Sequence, residues 1–208
     1  MADITTDHSH PAPVAHGTAN IGSLGVDSRK LGVWTFIGSE TLFFATLITT
    51  YLVLAPNNAL RSDFQDPREF LGIELTSVLA ALLLASSLTM VLALAAIKRG
   101  AIGRFRIWLL ATVALGLSFL GGQIYEFTHL YHEGVTLSSS IFGTTFFVLT
   151  GFHGAHVAIG TIWLLSAFFK VSKYPDSPEN VLDVELAGLY WHFVDLVWVG
   201  IFTIIYLV

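Results

Sequence analysis

The sequence contains no cysteine, which excludes disulfides, thiolate metal sites and a thiol nucleophile. It is poor in charge. Asp, Glu, Lys and Arg make up 12% of its 208 residues, about half the ~25% of a soluble domain, and that argues against a water-exposed globule. Positive charge is the scarcer sign, with ten Lys and Arg against fifteen Asp and Glu and a net charge of −5, which excludes a generally basic nucleic-acid binder. No internal repeat and no hydrolase, kinase or nucleotide motif is visible, since Gly121-Gly122 stands outside any phosphate-loop context. The first 28 residues carry Asp3 and Asp7 but no apolar run, so they do not read as a cleavable signal peptide.

What is abundant is apolar length. The chain is 54% hydrophobic with a mean hydropathy of +0.70. Five stretches approach or exceed the ~20 residues that cross a bilayer: Leu31–Ala55, Ile73–Ile97, Ile107–Tyr125, Ile141–Phe169 and Val184–Val208. Pro56-Asn57-Asn58, Lys98-Arg99-Gly100, Lys173-Tyr174-Pro175 and Pro178 punctuate them. The expected fold is therefore all-α, a polytopic membrane protein built as a bundle of five transmembrane helices over residues 29–208. Residues 1–28, with His8, His10, His16, Pro11 and Pro13, read as a flexible cytoplasmic tail, metal binding by its histidines being the alternative. Small residues such as Ala80, Ala81, Ser86, Ser87, Gly116, Gly151, Gly154 and Gly160 suit close helix packing.

Lys and Arg set the expected orientation. Arg29, Lys30, Lys98, Arg99, Arg104, Arg106, Lys170 and Lys173 fall on one side, and Arg61 and Arg68 on the other, beside Asp63, Asp66 and Glu69. This bias over short loops predicts a cytoplasmic N-terminus and an outer C-terminus.

Ionisable groups at bilayer depth are costly and so carry information. Glu40 lies ten residues beyond Lys30, or roughly 15 Å from the inner surface. Positions i±3 and i±4 on its helix are Ile37, Phe36, Phe43 and Phe44, so no local partner exists. Asp195 lies ten residues beyond Glu185, with His192 three residues before it on one face. His153 and His156 share the same spacing in the fourth span, and Glu126-x-x-His129 sits near the outer end of the third. Four readings compete. Bis-His haem ligation could pair His153 or His156 with His192. A di-metal bundle needs two E-x-x-H motifs and two further Glu, of which only Glu126 and His129 fit. A Glu/His proton or ion path is the third. The fourth, which carries the most weight, is hydrogen bonding that holds helices together or meets lipid headgroups and partner subunits.

The same residues carry a family resemblance. Gly38-Ser39-Glu40-Thr41-Leu42-Phe43-Phe44, the run from Gly143 through Phe152-His153-Gly154-Ala155-His156-Val157, and Tyr190-Trp191-His192-Phe193-Val194-Asp195-Leu196-Val197-Trp198 resemble three blocks of subunit III of haem–copper terminal oxidases. Arg29-Lys30-Leu31-Gly32 and Gln123-Ile124-Tyr125-Glu126-Phe127 fit in order, so the likeness runs from Arg29 to Val208. It implies the short, five-helix bacterial form of an accessory, non-redox subunit in a proton-pumping oxidase of aerobic respiration. The complex would most readily be a cytochrome c oxidase, with a quinol oxidase or an autonomous bis-His cytochrome as alternatives. It further implies no catalytic centre, metal or haem in this chain, with haem and copper in the partner subunits I and II. Structural phospholipid is expected, and the resemblance leaves room for a larger respiratory supercomplex in the bacterial plasma membrane. Glu40 matches the family's membrane Glu and is the candidate for lipid binding and proton-uptake support. His153, His156 and His192 become packing histidines, and Asp195 and Glu126 structural polar groups. Spacing suggests that Asp195 accepts a hydrogen bond that fixes the fifth span against the fourth.

Overall fold

The computed structural model of the chain describes residues 27–58, 72–138 and 141–207. The expected tail through residue 26, and the loop that holds Arg61 and Arg68, lie outside the described residues. Among the described residues the regular elements are helices: α1 (Ser28–Asn58), α2 (Ile73–Lys98), α3 (Ile102–His132), α4 (Ile141–Lys173) and α5 (Asn180–Phe202), followed by one π-helical turn, Thr203–Leu207. All five are long and apolar enough to cross a membrane.

The helices overrun the apolar windows that announced them. The third span, expected over Ile107–Tyr125, is helical from Ile102 to His132. Apolar length marks hydrocarbon depth, whereas backbone hydrogen bonding continues through Arg104, Arg106 and Glu126 because it needs no apolar side chain. Pro56 forgoes one backbone bond, but its φ suits a helix, so α1 continues to Asn58. α5 begins at Asn180 rather than Val184, where the Asn180 amide donates to the carbonyls of Tyr174 (2.7 Å) and Pro175 (3.3 Å).

Local chemistry explains the ends. Asp27 caps α1, its Oδ1 accepting the Arg29 backbone N–H at 2.8 Å. α2 and α3 close alike. Gly100 (φ 69°) and Gly134 (φ 83°) adopt left-handed geometry. The Ala101 and Val135 N–H groups then reach back to the carbonyls of Ala96 (2.9 Å) and Leu130 (3.0 Å). This Schellman arrangement satisfies terminal carbonyls and favours glycine; after Gly100 it turns the chain into α3.

α2 and α3 form the most extensive pair, α5 packs on α1, α2 and α4, and α1 meets α4 and α5. Of the most apolar stretch of α1, 11% is buried in the bundle, against 50% for α5, so α5 is central and α1 peripheral. The centre is Trp191, fully buried, with Nε1 donating to Ser86 Oγ at 2.9 Å. Its ring lies against Gly116, where a Cβ would approach Trp191 Cη2 to 2.7 Å, and against Gly160, where the approach would be 3.0 Å. Helix approach at this level therefore depends on residues without side chains.

All eight described Lys and Arg side chains belong to the helix ends at one end of the bundle. Arg29 meets Asp183 (3.3 Å) and Glu179 (3.8 Å), Lys30 meets Glu185 (2.8 Å), and Lys170 binds both Asp183 and Glu179. This network ties the start of α1 to the α4–α5 connection. Its members are partly exposed, so it aligns the helix ends more than it stabilises them.

Candidate functional site

The three sequence blocks converge in space. From α1 come Glu40, Phe43 and Phe44; from α4, Phe152, His153 and His156; from α5, Tyr190, Phe193 and Trp198. Glu40, without a partner on its own helix, finds one on α4: His156 Nε2 lies 3.2 Å from Glu40 Oε2. The pair is partly buried, with side-chain exposures of 20% for Glu40 and 14% for His156. His156 Nδ1 lies 2.7 Å from the Phe152 carbonyl. A carbonyl only accepts, so Nδ1 carries a proton. The Nε2 contact with Glu40 joins α4 to α1 and gives the carboxyl a polar partner at this depth. Phe43 packs edge-on to Phe152 (5.2 Å) and Phe44 to His156 (5.0 Å), while Tyr190 donates to the His156 carbonyl at 3.1 Å.

His153, one turn away, is fully buried and differently used. It stacks on Trp198 (4.9 Å, 25°) and meets Phe119 edge-on (5.7 Å, 87°). Neither ring nitrogen finds a hydrogen-bond partner among the described residues.

The other polar residues separate. Glu126 is buried and accepts hydrogen bonds from Thr76 of α2 (2.9 Å) and from Tyr206 in the π turn (3.0 Å). His129 of the same E-x-x-H is exposed, so the two do not form one ligand pair. Nor does any group of three or more His, Asp or Glu suited to a metal occur among the described residues. His192 and Asp195 share a face but do not bond each other. His192 Nδ1 pairs with Ser87 Oγ of α2 at 2.6 Å. Among the described residues no hydrogen bond joins Asp195 to the fourth span, contrary to expectation. Both carboxyl oxygens of Asp195 are without a partner among the described residues, and the polar group near them is Ser87 of α2, already engaged by His192. The reason is rotational: the face of α5 that carries positions 192 and 195 looks onto α2.

Sequence reasoning passed over Thr76 and Tyr206, named Tyr190 only as part of a family block, and read Ser87 only as a small packing residue. Hydroxyls barely disturb an apolar run, so hydropathy gives them no signal. Their only cue is the presence of an ionisable group at similar depth on another helix.

These features define a five-helix membrane protein in which Glu40, Glu126 and His192 are each engaged across helices, by His156, by Thr76 and Tyr206, and by Ser87. Over residues 16–208 the sequence matches the family model of cytochrome c oxidase subunit III. It is 42% identical over 183 residues to cytochrome c oxidase subunit 3 of Bacillus subtilis, with 86% of each chain covered. It is 40% identical over 177 residues to quinol oxidase subunit 3 of the same organism, with 85% of each covered. Cytochrome c oxidase subunit 3 of Corynebacterium diphtheriae is 34% identical over 179 residues, covering 86% of this chain and 87% of its own. The chain belongs to the cytochrome c oxidase subunit III family.

Proposed function

We propose that this chain is the accessory, non-redox subunit of a proton-pumping haem–copper oxidase in a bacterial plasma membrane. In this reading it docks on the haem- and copper-bearing subunits I and II, retains phospholipid and sustains proton uptake during turnover. The observation that carries the reading is the Glu40–His156 pair, where two family blocks meet between α1 and α4. A carboxyl and an imidazole in hydrogen-bond contact suit a supporting role in proton entry. The commitment of both His156 ring nitrogens, to Glu40 and to the Phe152 carbonyl, supports the non-ligating assignment of that residue. The haem spectrum of the isolated chain separates this reading from an autonomous cytochrome, since a Soret band would refute it.

Glu40→Ala is the direct test. Initial O₂ reduction should stay near wild type while inactivation under turnover quickens or pumping weakens. Unchanged pumping, lipid content and lifetime would leave Glu40 as helix glue only. The similarity to subunits named for both cytochrome c and quinol oxidases keeps two donors in play, and oxidation of reduced cytochrome c against quinol by the purified complex decides between them. The cation-rich end of the bundle supports a cytoplasmic N-terminus, with residues 1–28 as a cytoplasmic tail, and an outer C-terminus.

A further inference from the structure

The two lipid-depth faces of the bundle differ in one chemical respect. Exposed polar groups on α1 are satisfied within their own helix: Thr35, Thr41, Thr46, Thr49 and Thr50 each donate to the carbonyl four residues back at 2.8–2.9 Å. Such a face can rest against hydrocarbon. The α2/α5 face cannot. His192 is partly exposed there. Its Nδ1 is taken by Ser87 at 2.6 Å, and no partner for Nε2 occurs among the described residues. Whichever tautomer is present, Nε2 is left with a bare donor or a bare acceptor. Around it stand exposed apolar side chains, Leu84 (50%), Leu88 (62%) and Leu196 (71%).

Depth identifies what could complete it. Ser87 lies eleven residues before Lys98, and His192 twelve residues after Asn180. That is roughly 16–18 Å from the cation-rich end, the middle of a ~30 Å hydrocarbon layer. Headgroups do not reach this level and acyl chains offer no hydrogen bond, so an open imidazole nitrogen there is costly. We infer that the α2/α5 face around His192 is a protein interface, covered by a transmembrane helix of another oxidase subunit that brings a hydrogen-bonding side chain to His192 Nε2 at mid-depth. This rests on the chain being an oxidase subunit, as proposed above, and adds which face docks and by what chemistry.

The test uses the purified complex with a photo-crosslinking phenylalanine analogue at Leu196, or at Leu42, which is 71% exposed on α1. The Leu196 probe should form a covalent adduct with a haem-bearing subunit, and the Leu42 probe should label lipid. In parallel, His192→Leu should raise the fraction of this chain released by detergent about fivefold, the effect of losing one intramembrane hydrogen bond of about 1 kcal/mol, whereas His192→Gln should retain most of the association. A Leu196 probe that labels only lipid or a second copy of this chain, or that captures the haem-bearing subunit no better than the Leu42 probe, overturns the inference while leaving the subunit assignment intact. Equal release of His192→Leu and wild type also overturns it. A chain that purifies without any haem-bearing partner overturns the subunit assignment, and the interface with it.

Discussion

Removing the Glu126 carboxylate should destabilise the end of the bundle opposite the cations by an amount the structure lets one work out. Glu126 Oε1 receives two hydroxyls, Thr76 at 2.9 Å and Tyr206 at 3.0 Å, and joins α3 to α2 and to the π turn. The hydroxyls are not equally dependent on it. Thr76 Oγ1 also lies 3.1 Å from the Gly72 carbonyl, so it retains an acceptor in Glu126→Ala. Tyr206 is 3% exposed, and loss of the carboxylate leaves its phenol without its acceptor, with Thr76 and Tyr51 the other polar groups near it. An orphaned buried donor costs about 1–3 kcal/mol, and the Thr76 fallback argues for the middle of that range, about 2 kcal/mol. Glu126→Gln keeps an acceptor oxygen and should cost less than about 1 kcal/mol. Tyr206→Phe removes the donor itself, so the double variant with Glu126→Ala should be less destabilised than the sum of the singles, by about 1 kcal/mol. Pulse proteolysis of the purified complex across an SDS titration, with this chain quantified on a gel, measures all four stabilities. Additive singles, or a Glu126→Ala protein as stable as wild type, would show that the cluster seen between these helices does not hold them.

Three further expectations are simpler. Asp195→Asn should be neutral or slightly stabilising in the same titration, because the carboxyl oxygens it replaces are buried without a partner, and a loss above about 1 kcal/mol would reveal a partner that the fold does not display. Gly116→Val should cost about 1–3 kcal/mol by overpacking, since even a Cβ would lie 2.7 Å from the fully buried Trp191 ring; intrinsic tryptophan fluorescence should shift with it, and wild-type stability together with an unchanged spectrum would mean the ring is free to move aside. A reporter fused after Val208 and active only in the cytoplasm should stay silent, whereas strong activity would invert the assigned orientation.

The amino-acid sequence by itself determined those parts of this protein that are local. Apolar runs long enough for a bilayer specify five helices, and the helix ends follow from residues beside them: the Asp27 cap, and Gly100 and Gly134 in their left-handed turns. The segregation of cations to one end is equally legible, as are the blocks that mark the family, because each depends on composition or order along the chain. The partners of the polar groups were decided only by tertiary structure. Glu40 meets a histidine 116 positions away, Glu126 meets hydroxyls 50 and 80 positions away, and His192 turns from its neighbour Asp195 to a serine 105 positions away. Spacing on one helix says which side chains share a face. Which helix that face meets depends on the rotation of every helix about its axis, set by the packing of all five together, as where Trp191 fills the space left by Gly116 and Gly160.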